Sequence, residues 1–407
     1  MVTPPRPESL PLSEIRLLGP DDADASARMS AEAFGAPSSG TLAFTLGGGL
    51  WRWGLFDGDV LAAKANDRAY HSMIGGRPVP TAGVAGVAVA PEYRGGGLAR
   101  RMMQHLLTAA RTRGAALASL FRTAPALYRS LGFENVAELR VVEIPTSALI
   151  GMRVPEGVSL RRATITDVSA ARAVYGAVAA QSSCLLTRVG ESFPESDEAW
   201  LAQDGQVTVA VDETGQVIGY LRWVRGTGFG PAVSLSVTDL QALTEPAYRA
   251  LLATVGSFSA VTGSVRLRSS GTDPVGYFVP GAGWRIASVD PYLMRVLDVE
   301  RAVVARGWPA TTNGSVTFSI DDPVCPWNSG THRLEVAGGE ARISGRGATC
   351  MAGAAEITPC GLAVLYAGGV APAALRRAGM LRGGSAADDA FLAAAFAGPQ
   401  PAILDFF

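Results

Sequence analysis

The chain has 407 residues, which is too long for one ordinary domain and predicts two or three. Hydrophobic residues make up 48% of it and charged residues 17%, which supports packed cores, and the formal net charge is only −1. Because no cluster of lysine and arginine is present, we expect no nucleic-acid partner.

The start of the chain resembles neither a signal peptide nor a membrane span. Residues 1–8 lack an apolar run of signal-peptide length, and no later window approaches the length needed to cross a bilayer. We therefore expect a cytoplasmic protein that has no membrane partner.

The cysteines and histidines form no metal-binding pattern. Four cysteines are scattered along the chain, and three histidines lie in different segments. We expect all of them to be core or surface residues, with no metal site and no disulfide. They are Cys184, Cys325, Cys350, Cys360, His71, His105 and His332.

The first 150 residues predict a compact mixed α/β domain. A short strand at 15–18 and a helix at 23–34 are followed by a hairpin over 50–56 and 60–65. An apolar strand at 83–90, an amphipathic helix at 98–113 and a strand at 115–121 come next. A short helix at 124–131 and a strand at 139–144 complete the unit.

A glycine-rich turn between the apolar strand and the long helix is the most informative motif. It reads Arg94-Gly95-Gly96-Gly97-Leu98-Ala99-Arg100 and fits the pattern Arg/Gln-x-x-Gly-x-Gly/Ala. Free backbone N–H groups and the helix dipole would face an anion there together, so the turn predicts a phosphate cradle. The alternative is a βα turn of no special purpose.

The plan of the first unit then partly repeats. A strand, a polar turn and an alanine-rich helix over 158–180 precede a hairpin over 206–211 and 217–224. The counterpart of the cradle would lie between a strand at 233–239 and a helix at 248–257, where Thr238-Asp239 stands in place of the glycines. Because an acid there would repel phosphate, we expect a structural copy that binds no cofactor.

A third pattern begins at about Asp290. Strands at 292–298, 314–320, 332–336 and 341–343 precede helices at 371–379 and 386–396, and the chain ends in Phe406-Phe407. The sequence therefore predicts an α+β (mixed α/β) protein of three domains, with boundaries at 1–150, 151–289 and 290–407.

The stretch from Val84 to Phe133 resembles the acetyl-CoA core of the GNAT superfamily of acetyltransferases. The resemblance rests on the strand, the turn, the helix and the downstream Tyr128-x-x-x-Gly132-Phe133. In that family the strand splays from its neighbour and binds the pantetheine, and the turn binds the pyrophosphate. The resemblance implies acetyl-CoA as co-substrate, held by Val87, Ala88, Val89, Gly95, Gly96, Gly97, Leu98, Ala99, Arg100, Thr123 and Ala124.

The whole chain resembles the Eis ("enhanced intracellular survival") family of multi-acetylating aminoglycoside and lysine N-acetyltransferases. The shared plan is an active GNAT unit, a degenerate second GNAT unit, a unit similar to sterol carrier proteins and a terminal aromatic residue. The resemblance implies that Tyr128 is the general acid and that the terminal carboxylate of Phe407 is the general base. It also implies an amine acceptor and a homohexamer built as a trimer of dimers.

Both roles are chemically reasonable. An amine attacks a thioester only as the free base, and a phenol with a pKa of about 10 can return a proton to the departing thiolate. A terminal carboxylate with a pKa of about 3.5 in water becomes a better base if burial among residues 403–407 raises that pKa. The alternatives are that Tyr128 packs in the core and that Phe406 and Phe407 merely finish an apolar strand.

The segment before Tyr128 departs from the family pattern. The family tends to have a serine and a polar or acidic neighbour there, whereas this chain has Arg122 and Thr123. Thr123 keeps a hydroxyl that can contact the cofactor. Arg122 adds a positive charge near the cleft, which would make polycationic aminoglycosides less welcome if it points inward.

Other residues are candidates for the acceptor side of the site. Asp24, Glu32 and Asp405 would offset the charge of Arg122 if they line the pocket, although each fits an ordinary cap or surface position equally well. Trp51 and Trp53 share one sheet face by alternation, where they either line the acceptor site or belong to the core.

The leading interpretation is an acetyl-CoA-dependent N-acetyltransferase that acts on primary amines of small molecules or on lysine side chains. An acyltransferase for a longer acyl-CoA or for a narrow metabolite amine is the first alternative. A silent acyl-CoA or lipid-binding protein is the second, and the phenol of Tyr128 speaks against it because binding alone does not need it.

Overall fold

The computed structural model describes residues 14–35, 48–193, 196–203, 205–279, 281, 283–347 and 353–407. These residues form one sheet of twelve strands and one sheet of five. The predicted mixture of helices and strands is therefore confirmed.

The first unit follows the predicted order of elements. Its strands are longer than the sequence predicts, because β3 and β4 form one extended antiparallel hairpin. The elements are β1 (Glu14–Leu17), α1 (Ala23–Phe34), β2 (Leu50–Asp57), β3 (Val60–Ile74), β4 (Arg77–Val89), α2 (Leu98–Thr112), β5 (Leu117–Phe121), α3 (Pro125–Ser130) and β6 (Glu134–Pro145).

The second unit repeats this plan. A parallel pair of strands again flanks one long helix, as β4 and β5 flank α2. The elements are β7 (Val158–Arg162), α4 (Val168–Ala180), α5 (Asp197–Ala202), β8 (Gln206–Asp212), β9 (Val217–Arg225), β10 (Gly230–Ala242), α6 (Glu245–Gly256), β11 (Thr262–Ser269), α7 (Val275–Phe278) and β12 (Arg285–Val296).

The two units share the large sheet by exchanging their last strands. The strand order is β1-β2-β3-β4-β5-β12-β6-β11-β10-β9-β8-β7. The last strand of the second unit, β12, thus pairs with β5 of the first, and β6 of the first unit pairs with β11 of the second. The predicted boundary at 289/290 falls inside β12, so we place the start of the C-terminal unit after that strand.

The C-terminal unit contains the five-stranded sheet, in the order β15-β14-β13-β16-β17. Its helix α9 packs on β12 and β6, which joins it to the large sheet. The elements are α8 (Val299–Ala305), β13 (Gly314–Ile320), β14 (Gly330–Ala337), β15 (Glu340–Gly347), β16 (Ala355–Ile357), α9 (Pro359–Ala367), α10 (Pro372–Arg377), β17 (Leu381–Gly383) and α11 (Ala386–Ala395).

The two faces of the sheet around residues 82–84 of β4 pack against different parts of the protein. Ala82 and Val84 point into the core that contains Leu98 and Met102 of α2. Gly83 points to the other face, where an added Cβ atom would meet the ring of Tyr70. The alternation of a strand therefore separates an α2 face from an opposite face at this position.

The thiols and the helices add two findings. Cys184 and Cys325 are buried and Cys360 is half-buried, and within the described part of the chain all three are free thiols. Cys350 lies outside the described residues. Among the described residues, no helix combines the length and the apolar character needed to cross a membrane.

Candidate active site

The site begins where β4 and β5 part. The two strands pair in parallel register from Thr81↔Leu117 to Val84↔Leu120. Beyond Val84, β4 continues to Val89 and pairs with β3 alone. No described strand pairs with the other edge of residues 85–89, so its backbone N–H and C=O groups are available to a ligand.

A β-bulge turns this free part of β4. Gly86 has φ +59°, and the pairing with β3 shifts register between Lys64 and Asn66. The extra residue moves the alternation by one position, so that Val87 and Val89 pack toward α2 while Ala88 is buried beside α1. The three residues predicted to border the pantetheine thus lie on the free edge of the split.

The predicted cradle lies between the end of β4 and the start of α2. Gly95 and Gly97 have φ values of +81° and +79°, which other residues rarely adopt. Among the described residues no side chain caps the N-terminus of α2, whose cap residue is Gly97. The first amides of the helix therefore have no intrahelical acceptor, and a Cβ atom added at Gly95 or Gly97 would meet nothing within 4 Å.

The charges around this helix start favour an anion. The first turn of α2 contains Arg100 and Arg101 and no acid, although acids are the residues that stabilise a helix N-terminus. Arg94 folds back to donate to the Val89 carbonyl at 3.3 Å. Such a turn carries excess positive charge, which a pyrophosphate would neutralise.

Tyr128 lies on α3, and the residues that follow it end that helix sharply. Gly132 has φ +81°. In this conformation the Phe133 amide donates to the Tyr128 carbonyl at 3.0 Å, and the Gly132 amide donates to the Arg129 carbonyl at 3.0 Å. These two bonds form a Schellman motif. They give a physical reason for the Tyr128-x-x-x-Gly132-Phe133 pattern, because Gly132 fixes the end of the helix that carries the phenol.

Two arginines hold α3 in place. Arg100, in the first turn of α2, donates to the Ser130 hydroxyl at 2.8 Å. Arg295, on β12 and 0% exposed, donates to the Leu131 carbonyl and pairs with Asp322 of the C-terminal unit. The helix with the candidate acid is therefore tied both to the cradle and to the strand exchanged from the second unit.

The Tyr128 side chain is 3% exposed and lies in the core formed with α2. Burial raises the pKa of the phenol, and a hydrogen bond with Thr123 partly opposes the rise. The phenol is therefore protonated at neutral pH, as a proton donor must be. Thr123 is exposed and Ala124 half-buried at the start of α3, and Arg122 is exposed.

Phe407 is brought to the same split from the other end of the chain. Its ring lies 4.9 Å from that of Tyr70, 5.6 Å from Phe121 and 6.3 Å from Tyr292, centroid to centroid. A Cβ atom on Gly83 would lie 3.0 Å from the Phe407 ring, so only glycine leaves room for it. The terminal residue therefore packs over the end of the paired part of β4 and β5.

Tyr128 and Phe407 lie on opposite faces of the sheet. Tyr128 belongs to the core on the α2 face, and Phe407 covers Gly83 on the other face. The two strands separate next to Gly83, after the pair Val84↔Leu120. A group that lies in the split can therefore be approached from one face by the phenol and from the other by the chain terminus.

The C-terminal segment is docked along most of its length. The Ala402 amide donates to the Ser183 carbonyl at 2.8 Å, and Ile403 is 0% exposed. The Asp405 carboxylate accepts from Arg188 Nε at 2.9 Å, so its charge is already paired. Its expected compensation of Arg122 stays a prediction.

The other residues suggested for the acceptor side of the site are Asp24, Glu32, Trp51 and Trp53. Asp24 and Glu32 are exposed on α1. Trp53 donates to Asp67 at 3.0 Å and packs on His105 of α2, and Trp51 is covered by Arg113 just beyond the C-terminus of α2. Both tryptophans are half-buried: Trp53 packs against the α2 core, and Trp51 lines a cavity beside Arg113, so their role in binding an acceptor stays a prediction.

The buried Asp67 pairs with the partly exposed Arg113 beside these tryptophans. Burial raises the pKa of the Asp67 carboxyl to about 6, and Arg113 opposes the rise. The pair lies at the end of α2 that is remote from the cradle, so it holds β2, β3 and α2 together and has no contact with the split.

The second unit differs from the prediction in its turn. Thr238 and Asp239 lie inside β10, and the chain enters α6 directly after residues 243–244. Asp239 is buried and accepts from the Tyr220 hydroxyl at 2.6 Å. The cradle is thus absent from this unit because the turn is too short, and the expected repulsion by Asp239 is not the reason.

A cavity of about 260 Å³ adjoins the docked C-terminal segment. Aromatic rings of Phe193 and Trp200 form part of its wall, and the ring of Phe193 also packs 5.2 Å from Tyr70, next to Phe407. Its charged lining consists of Arg172, Arg188, Arg222, Arg268, Asp239 and Asp405.

Sequence reasoning missed several residues of this region. Tyr70 and Phe121, which contact Phe407, are ordinary apolar strand positions in the sequence, and nothing marks them. Arg188 was also missed, because its partners Asp239 and Asp405 are far away in the chain. Only the unusual φ of +54° at Arg188 distinguishes it, and that appears in the structure alone.

Three family models match successive parts of the chain. Models described as "Acetyltransferase (GNAT) domain" match residues 14–136 and residues 185–306. A model described as "Sterol carrier protein domain" matches residues 299–404. These matches confirm the predicted order of two acetyltransferase units and a unit similar to sterol carrier proteins.

Similar proteins are found along nearly the whole chain. An uncharacterized N-acetyltransferase of Streptomyces coelicolor is 30% identical over 82% of this chain and 82% of its own length. The GCN5-related N-acetyltransferase of Kribbella flavida is 31% identical, with a TM-score of 0.83, 97% of this chain covered and 99% of its own. Eis1 of Mycobacterium abscessus, at 22% identity and a TM-score of 0.76, shares the fold over 97% of this chain and 100% of its own.

Proposed function

The chain belongs to the GCN5-related N-acetyltransferases, and we propose that it transfers the acetyl group of acetyl-CoA to primary amines in the split between β4 and β5. The observation that carries the proposal is the combination in one unit of an uncapped helix start, a free strand edge and a buried phenol.

The cradle would bind the pyrophosphate of acetyl-CoA. The amides of Gly95, Gly96, Gly97, Leu98, Ala99 and Arg100 form the turn and the first turn of α2, where the helix dipole favours negative charge. Val87, Ala88 and Val89 would bind the pantetheine through the free edge of β4. Thr123 and Ala124 would border the thioester, since they precede the helix of Tyr128.

Tyr128 would act as the general acid and the Phe407 carboxylate as the general base. The carboxylate takes a proton from the acceptor ammonium, the amine nitrogen bonds to the acetyl carbonyl carbon, and the carbon–sulfur bond breaks. Tyr128 donates its proton to the departing thiolate, so that the products are an N-acetyl amide and CoA. The raised pKa of Tyr128 keeps that proton in place until the thiolate forms.

The acceptor would be a primary amine of a small molecule or of a lysine side chain. The cavity beside the C-terminal segment has four arginines against two aspartates, and both aspartates are paired with Arg188. Such a lining disfavours a polycation such as an aminoglycoside. A second candidate is therefore a narrow metabolite amine that also carries a carboxylate or phosphate group.

A silent lipid-binding role has less support. The five-stranded sheet fills its interior with its own side chains, since Phe318 and Leu334 pack against Leu362 and Tyr366 of α9. A longer acyl chain remains open as an alternative co-substrate. The family resemblance also predicts a homohexamer built as a trimer of dimers, which light scattering would test.

Mass spectrometry of acceptors incubated with the protein and acetyl-CoA tests the proposal. The panel consists of a lysine peptide, free lysine, an aromatic monoamine and kanamycin. We expect acetyl transfer to at least one primary amine, with kanamycin the poorest acceptor. Tight binding of CoA with no acetyl gain on any amine would overturn the enzyme interpretation.

A further inference from the structure

The C-terminal segment passes beside the split of the second unit before it reaches the first. β10 and β11 pair from Gly230↔Thr262 to Val237↔Leu267 and then part, as β4 and β5 do. Arg268, just beyond the last pair on β11, donates to the Leu404 carbonyl at 3.3 Å. The chain's own C-terminal segment therefore borders the split that would hold a thioester in a working unit, and Leu404 forms part of the wall of the cavity that remains there.

One arginine joins this segment to the other strand of the split. The Arg188 guanidinium donates through Nε to the Asp405 carboxylate at 2.9 and 3.2 Å. Through Nη1 it donates to Asp239 on β10. It also stacks 3.8 Å above the ring of Tyr175 on α4. Arg188 therefore bridges β10, α4 and the C-terminal segment.

The remaining contacts of the bridge hold its carboxylates in place. Asp239 accepts from the Tyr220 hydroxyl at 2.6 Å and from Gln241 Nε2 at 2.9 Å. The Tyr175 hydroxyl lies 3.4 Å from Asp405 and donates to the Leu186 carbonyl at 2.6 Å. Arg188 pairs with both acids and so offsets their mutual repulsion, and Arg268 adds a further positive charge beside Asp405.

The backbone of Arg188 is itself unusual. Its φ of +54° is a left-handed conformation that non-glycine residues seldom adopt. Thr187, the residue before it, is fixed because its amide donates to the His71 carbonyl at 2.9 Å in the first unit. The surrounding contacts therefore hold a strained residue in one orientation, aimed at Asp405.

The distance from this bridge to the chain terminus is short. Asp405 precedes Phe407 by two residues, which span at most about 7 Å of extended chain. The ring of Phe407 is fixed by Tyr70, Phe121 and Tyr292, but these contacts leave rotation of the terminal carboxylate about the backbone. Fixing Asp405 limits where the backbone of Phe407 can lie, and so limits the positions that the carboxylate can reach.

We infer that Arg188 is a positioning residue that aims the Phe407 carboxylate through Asp405, and that the second acetyltransferase-like unit serves as the dock for the C-terminus. The inference rests on the proposed role of that carboxylate as the general base. It gives the second unit a function that needs its strand split and not its cradle.

The test compares Arg188→Met with Arg249→Met in the full-length protein. Arg249 forms an exposed pair with Glu245 on α6 and has no contact with the C-terminal segment. Arg188→Met removes the cation that pairs with both carboxylates, so we expect kcat to fall about 10- to 100-fold because the base is misplaced. We expect the KM for acetyl-CoA to stay unchanged, and Arg249→Met to behave as the wild type.

Two further readouts separate positioning from loss of stability. A carboxypeptidase that prefers aromatic residues should release Phe407 faster from Arg188→Met than from the wild type or Arg249→Met, as followed by mass spectrometry. Adding Asp405→Asn to Arg188→Met removes the repulsion, so we expect the double variant to regain part of the lost kcat. A variant that merely folds poorly would lose more activity with the second substitution.

The outcomes distinguish this inference from the proposed function. If deletion of Phe407 leaves kcat unchanged, the proposed base is wrong and the inference falls with it. If that deletion abolishes turnover while Arg188→Met keeps wild-type kcat and wild-type resistance to carboxypeptidase, only the positioning role is overturned. Should Arg188→Met not fold, Arg188→Lys keeps the charge without the fork geometry, and a wild-type kcat with that variant would contradict the inference.

Discussion

The splits of the two acetyltransferase units have the same strands but different neighbours. In each unit a parallel pair of strands parts after four or more matched positions, beyond Val84↔Leu120 in the first and beyond Val237↔Leu267 in the second. The first split has a free strand edge, whereas the second is bordered by the chain's own residues 404–405, which Arg268 and Arg188 hold. A fold made for a thioester thus serves equally to hold a peptide segment.

The turns that follow the two strands explain this difference. Residues 90–97 separate β4 from α2, and residues 243–244 alone separate β10 from α6. The side chain of Thr244 accepts from the Ala247 amide at 3.3 Å, and Glu245 lies in the first turn. α6 therefore supplies its own acceptor and its own negative charge, while α2 leaves both to a ligand.

Removal of Phe407 breaks the comparison most severely. Without it the second unit still docks the segment, but the terminal carboxylate ends one residue short of the first split. We expect kcat to fall about 10³-fold and CoA affinity, measured by calorimetry, to stay nearly unchanged. Phe406→Leu is the matched control, since Phe406 is 60% exposed, and it should keep most of the activity. Full activity after the deletion would contradict the assignment of the base.

Tyr128→Phe removes the acid and leaves the ring. We expect kcat to fall about 10²-fold with acetyl-CoA. Because burial raises the pKa of Tyr128, the wild-type rate should fall only at a higher pH than that at which an ordinary phenol loses its proton. The control is Tyr248→Phe on α6, a buried tyrosine of the second unit stacked on Phe278. Equal kcat for both variants would remove Tyr128 from the mechanism.

Gly96→Asp gives the first turn the negative charge that the second unit already has. Gly96 has room for a side chain, since an added Cβ atom would lie 3.6 Å from the Tyr93 carbonyl oxygen. The new carboxylate would repel the pyrophosphate, so we expect the KM for acetyl-CoA to rise about 10-fold. Gly96→Ala should change it little, and an unchanged KM in Gly96→Asp would mean that the cradle does not bind phosphate.

Lys64→Met tests a smaller effect, which is the contribution of the buried Lys64 on β3 to stability. Burial lowers the pKa of Lys64 to about 8 from 10.5, although its amine donates to the Ser26 carbonyl of α1 at 2.6 Å. Between those two pKa values the unfolded chain binds a proton that the folded protein has released, so the contribution of Lys64 to stability rises with pH there. The cost of burying the charge is fully present below about pH 8.

We therefore expect Lys64→Met to raise the thermal midpoint by a few degrees, more at pH 7 than at pH 10. Differential scanning calorimetry of both proteins at the two pH values measures this effect. The control is Arg222→Met on β9. Arg222 is paired in register with Asp239 of β10, just as Lys64 of β3 is paired in register with Ala88 of β4. A gain from Lys64→Met that is larger at pH 10 would contradict the lowered pKa.

The sequence predicts the cofactor half of the site well because its signals are local. The helix expected at 98–113 is found at Leu98–Thr112, since an apolar stripe and a glycine turn are both encoded within a few residues. The pattern around Tyr128 is equally local, because Gly132 acts on the helix that immediately precedes it. Their roles in catalysis stay predictions.

The sequence does not predict how the units are joined. The pattern over residues 292–298 indicates a strand correctly, but periodicity cannot say that β12 inserts between β5 and β6. Arg188 is separated along the chain by 51 positions from its partner Asp239 and by 217 positions from its partner Asp405. Pairings over such distances depend on the assembled sheet, and no residue near Arg188 indicates them. The same reason led Asp239 to be placed in a turn instead of in β10.

The most direct test of the central claim changes only the terminal carboxylate. Semisynthesis of the full chain with a C-terminal carboxamide on Phe407 keeps the ring, its contacts with Tyr70 and Phe121 and the bridge to Arg188. If the carboxylate is the base, kcat should fall about 10³-fold while acetyl-CoA binds with unchanged affinity. A carboxamide enzyme that acetylates its amine at the wild-type rate would contradict the account.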